Sequence, residues 1–305
     1  MSVSTKIYAN MSAEQRGKRL DGERLGRIVE AKTVEDALKM LGDYGFACVE
    51  AGTVDKFIVA ETNRLIELID DVSPSKKLAN VLNARFWYNN VKLAYKSRFT
   101  EVPSDGFYDT PWNAQAIAEG DYSEADRFLT AALEDLDERK SKSPQDIDLC
   151  LTRAMYRYVL SIGIPAVKKY FRAEIDMKNI LSAARMKKLN IKIDEFLDGG
   201  SVSREQLNEA VSGDNFAEPF ENGKFEEYAS TVARSDELWR AERDADDYLY
   251  YMTDEQVKRY SSYTPFINFY TESLIELKTV KTALVCIKTN SRDMFYSRMP
   301  KLYER

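Results

Sequence analysis

Apolar residues recur three and four positions apart along most of this chain. Ile164, Val167, Phe171 and Ile175 form one such run, and Leu38 with Leu41 belongs to another. This spacing places the side chains on one face of an α-helix, whereas strands would need a period of two. Phe46–Val59, with its FACV and FIVA runs, is the only stretch that could also be argued as strand, and it is expected to be helix. Start signals agree. Thr33, Ser203 and Thr253 each stand three residues before an acid or amide, and Ser73-Pro74 reads as a cap followed by proline at the first helical position. The chain is therefore expected to be all-α.

One helical pattern is written twice, 100 residues apart. Between 165–190 and 265–290, Pro165/Pro265, Tyr170/Tyr270, Ile175/Ile275, Lys178/Lys278, Ala183/Ala283, Lys188/Lys288 and Asn190/Asn290 are identical in register. Val167/Ile267, Asp176/Glu276, Met177/Leu277, Ile180/Val280 and Ser182/Thr282 keep size or charge. A looser version, Phe86 to Ala94, aligns Asn90-Val91 with Asn179-Ile180 and Ala94 with Ala183. A shorter tag occurs three times, as Gly42-Asp43-Tyr44, Gly120-Asp121-Tyr122 and Gly213-Asp214-Asn215-Phe216. Each tag follows a helical stretch, so the glycine reads as a left-handed helix stop and the aromatic as an anchor. Turn-rich breaks at 101–110 and 198–201 follow the motif helices. Together these features predict three helical repeat units, 1–107, 108–198 and 199–305.

Composition narrows the chemistry. With 305 residues, 44% of them hydrophobic, the chain can bury a large core. Its net charge is −6, and basic pairs such as Lys76-Lys77 and Lys168-Lys169 are short and far apart, which argues against a nucleic-acid footprint. Charge-free runs are well short of the ~18–20 apolar residues that span a bilayer, and MSVSTKIYAN lacks the apolar core of a signal peptide, so a cytoplasmic protein is expected. The chain contains no histidine. Catalytic triads, HExxH zinc sites and histidine-bearing di-iron helices are thereby excluded.

What remains is thin as enzyme chemistry. The acid clusters Asp70-Asp71 and Glu242 to Asp247 lack a DDxxD spacing and read as solvated helix faces. Gly17-Lys18 and Gly223-Lys224 lack the Ser or Thr of a phosphate loop. Cys48, Cys150 and Cys286 show neither pairing nor zinc spacing and read as small core residues. Neither a cofactor nor a metal is expected. The matched Asp176/Glu276 and Lys178/Lys278 read as an ion pair or cap inside each unit, or as a polar lining recurring around a central socket.

In three stretches the chain resembles the C-type subunit of the archaeal and bacterial V/A-type rotary ATPases, a relative of the d-type subunit of the vacuolar enzyme. They are Ile7-Tyr8-Ala9-Asn10 through Arg24-Leu25 and then Thr33–Tyr44, Tyr170 to Ile180 continuing to Phe196-Leu197-Asp198-Gly199-Gly200, and Phe266–Asn290 with Arg298–Tyr303. Thr279, where the second unit has Asn179, departs from the pattern. The resemblance implies three similar helical domains in a funnel with pseudo-threefold symmetry. It also implies a non-catalytic rotor adapter that joins the central stalk, subunits D and F, to the membrane proteolipid ring on its cytoplasmic face. Lys92, Arg185 and Lys278, polar positions on the motif helices, are the candidate socket contacts. The rival reading is a helical-repeat interaction scaffold of tetratricopeptide type, which would need a period near 34 residues.

Overall fold

The computed structural model describes residues 20–47, 53–101, 106–140, 142–191, 196–235, 237–257 and 263–303. Among them all regular structure is helical. The order is α1 (Gly22–Val29), α2 (Val34–Asp43), α3 (Val54–Val72), α4 (Lys76–Ser97), α5 (Ala114–Glu119), α6 (Arg127–Glu138), α7 (Pro144–Ser161), α8 (Pro165–Leu189), α9 (Arg204–Ser212), α10 (Glu226–Arg234), α11 (Leu238–Val257), α12 (Thr264–Lys288) and α13 (Asp293–Arg298). Short helices thus alternate with pairs of long ones, α3–α4, α7–α8 and α11–α12.

Local sequence fixes most of the starts. Side-chain oxygens of Thr33 and Ser203 accept the backbone N–H of Asp36 and Gln206, and Ser203 forms a full capping box with Gln206. Two expected starts differ. Ser75, not Ser73, caps α4, because the Ser73 hydroxyl turns to the carbonyl of Ser75. Thr253 lies inside α11, where its hydroxyl is buried against Asn268 and the carbonyls of Leu249 and Tyr250. Of the Phe46–Val59 stretch, helix begins only at Val54; Phe46 and Ala47 are irregular, and 48–52 lie outside the described residues.

The glycine tags are also less uniform than the sequence implies. Gly120 adopts φ 109° at the end of α5, as a left-handed stop should. Gly42 remains within α2, and Gly45 takes the left-handed turn instead. Gly213 is extended at φ −73°. The aromatic anchors Tyr44, Tyr122 and Phe216 all pack on the core.

The long helices pack by one rule used three times. Helix α7 lies on α4, α11 on α8, and α3 on α12, so the last long helix returns to the first unit. Short helices follow the same order: α5 packs on α4, α9 and α10 on α8, and α1 and α2 on α12. The last set has its own apolar cluster, in which Leu25, Ile28 and Leu41 meet Val280, Leu284 and Phe295. Burial of about 1.5–3 kcal/mol per large side chain makes these contacts the main cohesive term.

Polar clamps on the motif helices repeat the relation. Asn90 on α4 donates its amide to the carbonyl of Tyr108 at 2.7 Å and accepts the same residue's N–H at 3.0 Å. Asn179 on α8 does the same to Leu197, at 2.9 and 2.8 Å, and in both cases the partner lies 18 residues on. Two hydrogen bonds from one buried amide satisfy a segment that has no ladder of its own. On α12 the equivalent Thr279 bonds its own helix at Ile275, and the carbonyl 18 residues on, of Ser297, takes a hydrogen bond from Arg243 instead.

A second clamp holds the residue before each helix cap. Asp176 accepts the N–H of Ser201 and Val202 at 2.7 and 2.9 Å, and Glu276 accepts that of Leu20 at 3.0 Å. At the same register on α4, Trp87 packs against Trp112 with tilted rings whose centroids are 5.1 Å apart. Val202, Leu20 and Trp112 each immediately precede a cap, Ser203, Asp21 and Asn113. The Asp176 crossing needs its glycine, since a Cβ on Gly200 would lie 2.1 Å from the Asp176 carboxylate. Both acids thus act as clamps, but neither inside its expected unit: Asp176 reaches Ser201 and Val202, beyond the 108–198 stretch, and Glu276 reaches Leu20 at the other end of the described chain.

Candidate functional site, a charged cleft where the long helices meet

The three motif helices converge on a buried ion pair. Arg85 on α4 reaches both carboxylate oxygens of Glu174 on α8 at 3.3 Å, and its guanidinium lies 5.3 Å from the Tyr270 ring of α12. The Tyr270 hydroxyl in turn donates to the Leu82 carbonyl on α4 at 3.0 Å, and its ring meets Tyr170 edge-on. Arg85, Glu174 and Leu274 occupy one register, five residues before Asn90, Asn179 and Thr279. Burial pushes the Glu174 carboxyl up, but Arg85, Lys178 and the Tyr156 hydroxyl overcome it, and the group stays below the usual carboxylate range. A buried pair of this kind costs desolvation and is kept only with good geometry on both sides.

Above this pair opens a cleft of about 620 Å³ bounded by α7, α8, α11 and α12. Its lining carries Arg85, Lys178, Arg185 and Lys278 against Asp148, Glu174, Glu242 and Asp246. Each base has an acid within reach: Lys178 lies 3.7 Å from Glu174, Arg185 pairs with Glu242, and Lys278 with Asp246. Exposure does not sort these charges by sign: the side chains of Lys178, Arg185, Lys278, Glu242 and Asp148 are about half exposed, whereas Arg85, Glu174 and Asp246 lie deeper. Burial holds the Asp246 carboxyl above its ordinary range even with Lys278 against it.

Of the sequence-derived contacts, Arg185 and Lys278 are brought together here, while Lys92 is not part of the lining. It sits beneath, its ammonium donating at 2.6 Å to the hydroxyl of Thr152, a lining residue. Burial pushes Lys92 down to about 8, with Asp148 opposing and Lys178 and Lys96 adding to the shift. Arg85, Glu174, Glu242 and Asp246 were missed. The available signal was a charge, Arg85 and Glu174, at one register of two of the three motif helices.

The acid run 242–247 is not the solvated face expected of it. Glu242 and Asp246 pair across the cleft, Asp244 bonds Arg243, and Asp247 is buried, accepting the N–H of Lys301 at 3.0 Å. The run lies between α8, α12 and the segment after α13, so neighbours rather than water answer its charge. Cys286 is a core residue as expected, Cys150 is half-buried with its thiol toward the Ala132 carbonyl, and Cys48 lies outside the described residues. Among the described residues no cluster of acids and cysteines could hold a metal ion, and no helix is long and apolar enough to cross a membrane.

No curated protein sequence matches the chain. A family model does, over residues 15–298, described as the ATP synthase (C/AC39) subunit. That span takes in α1 to α13, both clamps and the whole cleft. The chain belongs to the C/AC39 subunit family of V/A-type ATP synthases.

Proposed function

We propose that this chain is a non-catalytic rotor adapter, coupling the central stalk, subunits D and F, to the proteolipid ring on the cytoplasmic face of the membrane. In this role it transmits torque for ATP-coupled proton or sodium transport. The observation that carries the reading is the cyclic packing of α7 on α4, α11 on α8 and α3 on α12, tied by repeated clamps. A body closed on itself resists shear, because rotation of one bundle must break contacts at two seams at once. The three repeat units, 1–107, 108–198 and 199–305, are proposed as three similar domains around a pseudo-threefold axis at the Arg85–Glu174 pair. The packed bundles are offset from these units by one helix, which a repeat with no fixed phase permits.

The cleft is the proposed seat of the stalk, with Arg185 and Lys278 as contacts and Lys92 supporting from below. Membership in the C/AC39 family sets aside the tetratricopeptide-like scaffold. The test is to isolate the membrane complex through this chain. Co-recovery of proteolipid and stalk subunits is expected, and Lys178, Arg185 and Lys278 changed together to Glu should release the stalk while retaining the ring. Recovery of the chain alone from cells that assemble the enzyme would overturn the proposal.

A further inference from the structure

The cations of the cleft are not equally committed. Arg185 and Lys278 each donate a hydrogen bond to an acid, Glu242 and Asp246. Lys178 does not. Its ammonium stands 3.7 Å from Glu174, beyond hydrogen-bonding reach, and both oxygens of that carboxylate already accept Arg85.

A hydroxyl on the neighbouring α7 is spare in the same way. Thr130, Thr271, Thr279 and Thr282 donate their hydroxyls to the carbonyl one turn back in the chain. Thr152 makes no such bond. Its oxygen accepts the Lys92 ammonium at 2.6 Å, and because an ammonium can only donate, the hydrogen of the Thr152 hydroxyl is left for another acceptor. Thr152 and Lys178 both line the cleft, and neither donates a hydrogen bond to an acceptor among the described residues.

The charges around Lys92 favour an acceptor that is an anion. Lys96 on its own helix, Asp148 on α7 and Lys178 on α8 face it, two cations against one acid, and that acid is bonded to Lys96 at 2.6 Å. Burial and the two like charges outweigh Asp148 and hold Lys92 down to about 8.

We propose that the Thr152 hydroxyl and the Lys178 ammonium receive the carboxylate of an acidic side chain of the stalk, with Lys92 behind Thr152 as the buried countercharge. This rests on the seating of the stalk in the cleft and adds the chemistry of the seated residue. In the chain from Lys92 N–H to Thr152 O–H to carboxylate, each hydrogen bond polarises the next. An anion at that point also favours the charged form of Lys92, so docking returns the proton that the free chain loses near pH 8. Affinity for the stalk therefore falls as pH rises above about 8.

Calorimetric titration of the full-length chain with the purified D and F stalk tests this. At pH 8, repeating it in buffers of different ionisation enthalpy should reveal uptake of about half a proton per complex, and the association constant should fall roughly tenfold from about pH 7 to about pH 9.5. Lys92→Met should abolish the uptake, whereas Lys92→Arg, charged throughout, should bind at neutral pH and lose the fall. Thr152→Val and Lys178→Met should each weaken binding at neutral pH about tenfold. The uptake is read on the parent chain and does not depend on how any variant folds. Three results would overturn the inference and leave the seating intact: stalk binding by the parent without proton uptake, uptake that persists in Lys92→Met, or undiminished binding by Thr152→Val and Lys178→Met. A parent that binds no stalk at any pH would overturn both.

Discussion

Helices α8 and α12 share a sequence pattern, a length of 25 residues and a proline at the first turn, yet they are held in different ways. On α8, Asn179 and Asp176 clamp the segment that follows it in sequence, and Glu174 carries the buried charge of the central pair. On α12 the same three positions hold Thr279, Glu276 and Leu274. Thr279 bonds inward, Glu276 catches Leu20 from the far end of the chain, and Leu274 lines the cleft without charge. Helix α8 is thus fastened by its own downstream chain and α12 by the start of the described chain, while Arg243 of α11 holds the Ser297 carbonyl on α13. A repeat keeps the apolar face that every copy must bury, and lets the polar fastenings vary with what lies beside each copy.

Giving α8 the residues of α12 tests this contrast, and the largest effect is expected at the central pair. Glu174→Leu strands the Arg85 guanidinium among Tyr170, Phe171 and Tyr270, and should cost about 3–5 kcal/mol in urea unfolding. Arg85→Met with Glu174→Leu should recover most of that, because removing both charges removes the desolvation as well. A double variant as unstable as the single one would show that the pair contributes by attraction and not merely by mutual neutralisation.

Asn179→Thr comes next. It removes both hydrogen bonds to Leu197 and leaves that residue's N–H and carbonyl to find other partners, for an expected loss of about 2–3 kcal/mol. Thr279→Asn should gain nothing, since Arg243 already serves the carbonyl of Ser297. Equal effects at the two sites, read as shifts in the urea midpoint, would erase the distinction between the helices.

A smaller effect is expected at Lys92. Its ammonium titrates at about 8 in the folded chain and near its ordinary value in the unfolded one. Between those values the unfolded chain holds a proton that the folded chain has released, so stability at this site rises as pH climbs from about 8 to about 10.5. Subtracting the profile of Lys92→Met from that of the parent isolates the rise; a flat difference would place Lys92 in a wetter setting than burial beside Thr152 implies. The smallest change is expected for Lys278→Ala. Its pair with Asp246 is half exposed on the lysine side, and unfolding free energy should move by no more than about 1 kcal/mol.

Much of the fold is legible along the chain because it is local. The period of apolar residues sets the helices, the hydroxyls of Thr33 and Ser203 set two of their starts, and Pro165 and Pro265 open the duplicated pair. Where the sequence misled, a tertiary neighbour outbid a local signal. Thr253 has the pattern of a cap but bonds Asn268 within the core, and the acids of 242–247 look solvated until Arg185, Lys278 and the Lys301 backbone are brought against them.

By itself, then, the sequence determined that this protein is all-α, that one helical pattern recurs, and that histidine chemistry is absent, because each of these depends on residue identity and spacing alone. Only the tertiary structure decided that Arg85 meets Glu174, that Arg185 and Lys278 share a cleft which Lys92 underlies, and that Leu20 closes on Glu276. Those contacts join helices tens to hundreds of residues apart, and which partner a buried charge finds is set by how the helices pack and not by the order in which they are written.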